Sequence, residues 1–396
     1  MTTTHCENSV LGVPFSQAQP RHIVYIIDQL DSLKGGAERS LFNTTRLLPQ
    51  HRYHASVVTF KRPEDPSCLQ QFSCPVHVFP LQRTYGWEAL RVALKLRRLI
   101  RDERVAIVQT FFESSDLWAG PIAKLSGCPV LISSRRDMGF RRRSMHRVAY
   151  RLFRPLFDRV HAVSDVVRDY TIRQDGIDPD RVVTIVNGID VDSASRRYDT
   201  QRLRNSHNLE NASHLIVDVS SIRRVKGLDI LARTAAIVCR DYPASVFVVV
   251  GNVVEQEYFT EVNELLKRLD IVANFRFVGG QDDVFPFLQM SDVFCHLSRS
   301  DGLSNAMLEA MACGLPCVVS RAGGNPQVIS EGRNGFVVPI DHPELAADRI
   351  ITLLRYPESR RRMGEDGRQR VSEAFSATTM VRSLVDLYDR LVEPAN

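Results

Sequence analysis

Two acids, Asp301 and Glu309, stand with seven residues between them in the run SDGLSNAMLEAMACGLPCVVSRAGG, Ser300 to Gly324. Glu309 lies among Ala306, Met307, Leu308, Ala310, Met311 and Ala312, so a helix over 305–312, stopped by Gly314, would be largely buried. A lone buried carboxylate is costly unless it is paired, which weighs against a plain surface acid. There it can accept two hydrogen bonds from a vicinal diol such as a ribose. Gly302, Leu303 and Ser304 form the turn ahead of that helix, and amides at a helix start favour phosphate. Asp301, at a strand end, would face the same ligand. Gly323-Gly324 would let the backbone approach it.

Two more loops open helices. Ser220-Ser221-Ile222-Arg223-Arg224-Val225-Lys226-Gly227 carries three cations in four residues. Cations are unfavourable at an isolated helix start and favourable where an anion docks. Both a diphosphate clamp and a solvated loop fit that pattern. Gly35-Gly36 precedes Ala37-Glu38, and here close approach of a ligand and a tight turn are both open. The pattern is not G-x-G-x-x-G, which argues against a dinucleotide. No metal is expected. Cys68, Cys74 and His77 lack a fourth ligand at zinc spacing, and Asp190-Val191-Asp192 follows the turn signal Asn187-Gly188.

Short β-branched runs must hold these loops. Strands are predicted at 22–27, 56–60, 105–110, 130–133, 160–163 and 182–186, with helices at 38–48 and 88–101. The pattern restarts with strands at 215–219, 246–250, 275–278, 293–297 and 316–319 and helices at 228–240 and 258–269. Strands apolar on both faces and separated by helices argue for parallel sheets covered on both sides. The fold class is therefore α/β, two Rossmann-like doubly wound domains facing each other, 21–190 and 191–375. Ligands bind outside the carboxyl ends of such sheets, here the cleft between the domains. A last helix over 377–392 carries Met380, Leu384, Leu387 and Leu391 on one face.

The chain has 396 residues, 44% hydrophobic and 24% charged, as in an ordinary soluble protein. No apolar run approaches the roughly 20 residues of a membrane span. Residues 1–20 lack a signal-peptide pattern and are read as a flexible tail, so a cytoplasmic location with reduced thiols is expected. Net charge is +5, yet from Arg135 to Arg159 nine Arg face two Asp, a surplus of seven. Arg143, Arg147, Arg151 and Arg154 recur at helical spacing beside Val148, Leu152, Phe153 and Leu156. The segment is either a solvated face or a docking face for an anionic membrane surface. No aromatic stacking platform accompanies the charge, so nucleic acid is not expected.

Several motifs recur in a fixed order: Gly35-Gly36-Ala37-Glu38, Ala162-Val163-Ser164, Val186-Asn187-Gly188-Ile189-Asp190, Arg223 to Gly227, and Phe277-Val278-Gly279. Asp301-x7-Glu309, Gly323-Gly324-Asn325-Pro326 and Asn334-Gly335-Phe336-Val337-Val338-Pro339 follow. The ordered set resembles the retaining GT-B glycosyltransferases of the group-one family, the E-x7-E type, over nearly all of the chain from about residue 22.

The resemblance implies transfer of a hexose-type sugar from a nucleoside-diphosphate sugar to a saccharide or lipid-linked acceptor, in polysaccharide or glycolipid assembly. It implies retention, no metal and no cofactor. Lys226 and Arg223 would act on the diphosphate, and Asp301 on the donor sugar. Arg224, Glu309, Gly302, Leu303 and Ser304 would bind the donor, with Val278 and Gly279 at the base. Gly35, Gly36 and Arg136 would form the acceptor-side phosphate loop. The segment 376–396 would cross back onto the first domain.

The chain also departs from the family. Asp301 stands where Glu is usual, Ser221 where Arg is frequent, Arg135-Arg136-Asp137 where many members carry a histidine, and Gln327 where Glu is usual. A sugar-nucleotide epimerase of the same fold, and a non-catalytic nucleotide-binding assembly module, are the alternative readings.

Overall fold

The computed structural model describes residues 19–392, except 34, 64, 140, 141 and 143. Residues 1–18 of the predicted tail, Arg143 of the cationic face and 393–396 of the crossover segment lie outside the described residues.

The first sheet contains β1 (Arg21–Ile27), β2 (Tyr53–Thr59), β3 (Val76–Val78), β4 (Ile107–Phe111), β5 (Val130–Arg135), β6 (Arg159–Ala162) and β7 (Val182–Thr184). Their order is β3-β2-β1-β4-β5-β6-β7, and every pairing is parallel. The second sheet contains β8 (His214–Val219), β9 (Ser245–Val250), β10 (Phe275–Gly279), β11 (Val293–His296), β12 (Cys317–Ser320) and β13 (Gly335–Val338). It runs β10-β9-β8-β11-β12-β13, again all parallel. Each order reverses beside its first strand, and a crevice opens at such a switch point.

Two strands exceed the sequence prediction. β3 has three residues at a sheet edge and begins just after Pro75, too short to show alternation. β13 follows the Asn334-Gly335 turn, and its four residues read as a motif rather than a strand. The central strand β1 is fully apolar and unexposed from Ile23 to Ile27, as a strand covered on both faces must be.

The main helices are α1 (Gly36–Leu47), α2 (Gly86–Asp102), α3 (Gly120–Leu125), α4 (Ser144–Phe153), α5 (Asp165–Asp175), α6 (Leu228–Asp241), α7 (Gln256–Arg268), α8 (Asn305–Ala312), α9 (Pro343–Arg355), α10 (Pro357–Ala374) and α11 (Ala377–Val392). α11 packs on α1 of the first domain and buries Met380, Leu384 and Leu387. The hydroxyl of Tyr388 donates to Gln109 Oε1 at 2.5 Å and lies 3.2 Å from that of Tyr25. At the passage between the domains Ile189 and Ser376 form an isolated parallel bridge.

Candidate active site

Three loops meet at the two switch points. The loop after β1 ends in Gly35-Gly36, the loop after β8 holds Arg223 to Gly227, and the loop after β11 holds Asp301 to Ser304. They enclose a cavity of about 390 Å³ between the domains, lined by Gly35, Gly36, Arg223, Lys226, Asp301, Leu303, Ser304 and Glu309. An adjoining lobe of about 220 Å³ adds Gly302 and Arg136. Ten of the thirteen residues singled out from the sequence thus line one cleft.

The loop after β8 sorts its cations by geometry. Arg224–Lys226 is a 3-10 turn, in which positions three apart eclipse. Arg223 and Lys226 therefore share the cleft side, and Arg224 turns away. Arg224 makes two 2.6 Å hydrogen bonds to Glu261, lies 4.9 Å over Tyr258 and lines neither lobe. In this structure the Arg224 side chain therefore faces away from the cleft. The turn closes on Gly227 at φ +70°, where a Cβ would sit 2.2 Å from the Leu297 carbonyl oxygen, so only glycine fits.

Lys226 Nζ donates to Asp301 Oδ2 at 2.6 Å. His296 Nε2 lies 3.3 Å from the same oxygen, and His296 Nδ1 lies 2.7 Å from Asp218 Oδ1. Burial pulls the His296 imidazole down, but Asp218 and Asp301 outweigh it, and its pKa is raised. Burial pushes the Asp301 carboxyl up, while Lys226 and His296 more than reverse this and hold it well below the usual carboxylate range. A hydrogen-bonded chain, Asp218–His296–Asp301–Lys226, buried at its Asp218–His296 end, thus fixes the acid that faces the cleft. Neither His296 nor Asp218 was singled out from the sequence. The available signal was a pair of polar residues at or next to the ends of two apolar strands that lie side by side, β8 and β11.

α8 begins at Ser304, whose hydroxyl accepts from the Met307 amide at 3.3 Å. Glu309, one turn in, is 4% exposed. Burial raises its pKa, partly offset by Arg39 of α1, which pairs with it across the cleft. Arg39 is a third residue the sequence reading passed over; it lies three residues beyond Gly36 on the helix that Gly36 opens.

Gly302 sits where the domains touch. A Cβ there would lie 2.0 Å from the carbonyl oxygen of Arg136, and the Gly302 carbonyl accepts from Ser164 Oγ at 2.9 Å. Asn187 Nδ2 donates to Asn305 Oδ1 at 2.8 Å beside it. Gly323-Gly324 braces the Asp301–Gly302 turn from below, through Gly324 N–H to the Gly302 carbonyl at 2.8 Å, and lines neither lobe. Val278 and Gly279 stand one step back from the cavity. Their neighbours Gly280 and Gln281 line it, and Gln281 Nε2 donates to the Val278 carbonyl at 2.8 Å.

On the acceptor side, Arg136 Nη2 donates to the Gly36 carbonyl at 3.4 Å, and its pKa falls to about 10, chiefly from burial. Arg135 instead points into the first domain. Its guanidinium lies 2.8 Å from Asp116, 3.5 Å from Asp175 and 3.8 Å from the Tyr150 ring centre. Arg142 joins it on Asp175 at 3.1 Å. Two of the nine arginines in the basic segment are therefore internal counter-charges, because Asp116 and Asp175 are buried and would otherwise be uncompensated. Asp190 of the D-x-D run caps the next short helix through the Asp192 amide and pairs with Arg46 at 3.0 Å. A separate cavity of about 750 Å³ opens in the first domain beside Asp28, Lys61, Arg62 and Arg83.

Two family models match the chain: "Glycosyl transferases group 1" over residues 199–370 and "Glycosyltransferase Family 4" over residues 34–193. The chain is 32% identical over 207 residues to the N-acetyl-alpha-D-glucosaminyl L-malate synthase of Bacillus anthracis, spanning 52% of this chain and 53% of that one. It thus covers about half of that relative. It is 23% identical over 381 residues to the UDP-Gal:alpha-D-GlcNAc-diphosphoundecaprenol alpha-1,3-galactosyltransferase of Escherichia coli, over 92% and 96% of the two chains. The crystal structure of Anabaena HepE in complex with UDP matches at a TM-score of 0.82 and 21% identity, covering 93% of this chain and all of that one. A Rickettsia africae glycosyltransferase matches at 0.84 and 17%, covering 96% of this chain and all of that one. These neighbours share the fold, two facing parallel-sheet domains of the GT-B type.

Proposed function

We propose that the chain, matched by the group 1 glycosyltransferase model over residues 199–370 and by the Glycosyltransferase Family 4 model over residues 34–193, is a glycosyltransferase that moves a hexose-type sugar from a nucleoside-diphosphate sugar to a saccharide or lipid-linked acceptor, with retention at the anomeric carbon. One observation carries this reading: Arg223 and Lys226 stand on the same side of a 3-10 turn, opposite the start of α8, in a cleft that also holds Asp301 and Glu309. The relatives support it, since one is named an N-acetyl-alpha-D-glucosaminyl L-malate synthase and another an alpha-1,3-galactosyltransferase of alpha-D-GlcNAc-diphosphoundecaprenol.

Departure of a nucleoside diphosphate leaves negative charge on the phosphates and an oxocarbenium-like sugar. Fixed cations and amide dipoles stabilise that charge where it develops. Lys226 and Arg223 supply the cations, and the turn Gly302 to Ser304 the dipoles. They would do the work a divalent metal does elsewhere, so the reaction is proposed to be metal-independent. Glu309 would accept the ribose hydroxyls, and the loop at Val278-Gly279, through Gly280 and Gln281, would meet the base. Asp301, held by Lys226 and His296, would face the donor sugar. The acceptor hydroxyl, brought in over Gly35, Gly36 and Arg136, would attack the face the diphosphate leaves. A phosphate oxygen of the leaving group would take its proton.

Release of nucleoside diphosphate from a panel of sugar nucleotides, with and without saccharide and lipid-linked acceptors, tests this. Acceptor-dependent release with a product of unchanged anomeric configuration by NMR is expected. Epimerised donor without release, or no turnover with any donor, would overturn it.

A further inference from the structure

Two helices of the first domain carry large apolar side chains outward at helical spacing. On α2 (Gly86–Asp102) Trp87, Leu90 and Leu94 are 80%, 49% and 48% exposed; on α4 (Ser144–Phe153) Met145, Val148 and Leu152 are 67%, 67% and 70% exposed. Steps of three and four residues place each trio on one helix face. On α2 that face lies away from the buried row Ala89, Val92, Leu96 and Leu99.

Both helices cover the same side of the first sheet. α2 packs on α3, and α3 packs on the turn that follows α4. A helix that follows a parallel strand starts at that strand's carboxyl end, so both outward rows begin on the side where the cleft opens. The adjacent charge is mainly positive: Arg91, Lys95 and Arg98 on α2, Arg147 and Arg151 on α4, and α4 contains no acid. A solvated face accounts for the charges but not for two apolar rows held in water between them.

We propose that α2 and α4 form a docking surface for an anionic lipid bilayer, lying in the plane of the interface. Charge complementarity selects that occupant. A bilayer surface offers apolar depth to the two rows and anionic headgroups to the cations beside them. A second copy of the chain would bring the same cations against these. Trp87, with Tyr85 just ahead of α2, has the amphipathic ring that sits at a membrane interface. No helix among the described residues is long and apolar enough to cross a membrane, so the contact is peripheral. Arg135 and Arg142 point inward and take no part.

The chain has two tryptophans, so Trp118→Phe leaves Trp87 as the sole reporter. That variant is titrated with vesicles of mixed phosphatidylglycerol and phosphatidylcholine, and with phosphatidylcholine alone. A blue shift of Trp87 emission and co-sedimentation are expected with the anionic vesicles and not with the neutral ones. With Arg91→Glu, Lys95→Glu, Arg147→Glu and Arg151→Glu combined, the partition coefficient should fall by at least roughly tenfold, with the melting temperature kept. No binding to anionic vesicles, or equal binding to neutral ones, would overturn the proposal. So would a concentration-dependent dimer by sedimentation equilibrium that buries Trp87 without lipid. No sugar donor enters the measurement, so its failure leaves the transferase reading untouched.

Discussion

Arg39 of the first domain is ion-paired to Glu309 of the second, across the cleft that separates them. Glu309 is 4% exposed, so the pair satisfies a carboxylate that the apolar helix α8 would otherwise bury alone. A ribose entering the cleft would compete with Arg39 for the same oxygens. Glu309→Ala is expected to weaken donor binding by roughly tenfold to a hundredfold, the loss of a charged hydrogen bond. Unchanged affinity by calorimetry would remove Glu309 from the donor site. Arg39→Ala leaves the buried acid unpaired and should destabilise the fold by about 2–3 kcal/mol. That loss should grow as pH rises, because the folded state then prefers the protonated acid.

Lys226 bridges the proposed diphosphate position and Asp301. Lys226→Ala should lower kcat by roughly a hundredfold to a thousandfold, the scale of one lost electrostatic donor, with a smaller change in KM. Steady-state kinetics with the best donor of the panel checks this. A change confined to KM would make Lys226 a binding residue and nothing more.

Arg135 and Arg147 belong to one basic stretch and predict opposite outcomes. Arg135 is 2% exposed between two buried aspartates, and removing it should cost about 3–5 kcal/mol. Arg147 is exposed, with a single 3.2 Å contact to Ser144, and Arg147→Ala should change stability by less than about 0.5 kcal/mol. Chemical denaturation of both variants separates a structural arginine from a surface one. Equal losses would contradict the placement of Arg135.

Asp28, the first residue after β1, accepts from the Ser114 amide at 3.0 Å and the Ser115 amide at 2.6 Å. Burial pushes its carboxyl up to about 6 despite these bonds. A raised acid binds its proton more tightly in the folded state, so its contribution to stability falls as pH rises from about 4 to about 6. Relative to Asp28→Asn, wild type should lose up to about 3 kcal/mol across that interval. A flat difference between the two unfolding curves would mean that Asp28 ionises at its ordinary pH.

The periodic apolar runs alone determined two parallel-sheet domains, because a strand buried on both faces cannot hide its composition. They also marked the three loops of the cleft, since glycines and cations at helix starts are local signals. Edge strands β3 and β13 escaped, being too short to alternate. Only the tertiary structure decided which charges meet. Arg223 and Lys226 face the cleft and Arg224 does not, through the three-residue period of one 3-10 turn. Arg135 serves the core and Arg136 the cleft, through the alternation along and just past β5. Arg39 reaches Glu309, and Asp218 reaches His296, over 270 and 78 residues of chain. Pairings at that separation depend on strand order and domain closure, which leave no periodic trace in a single sequence.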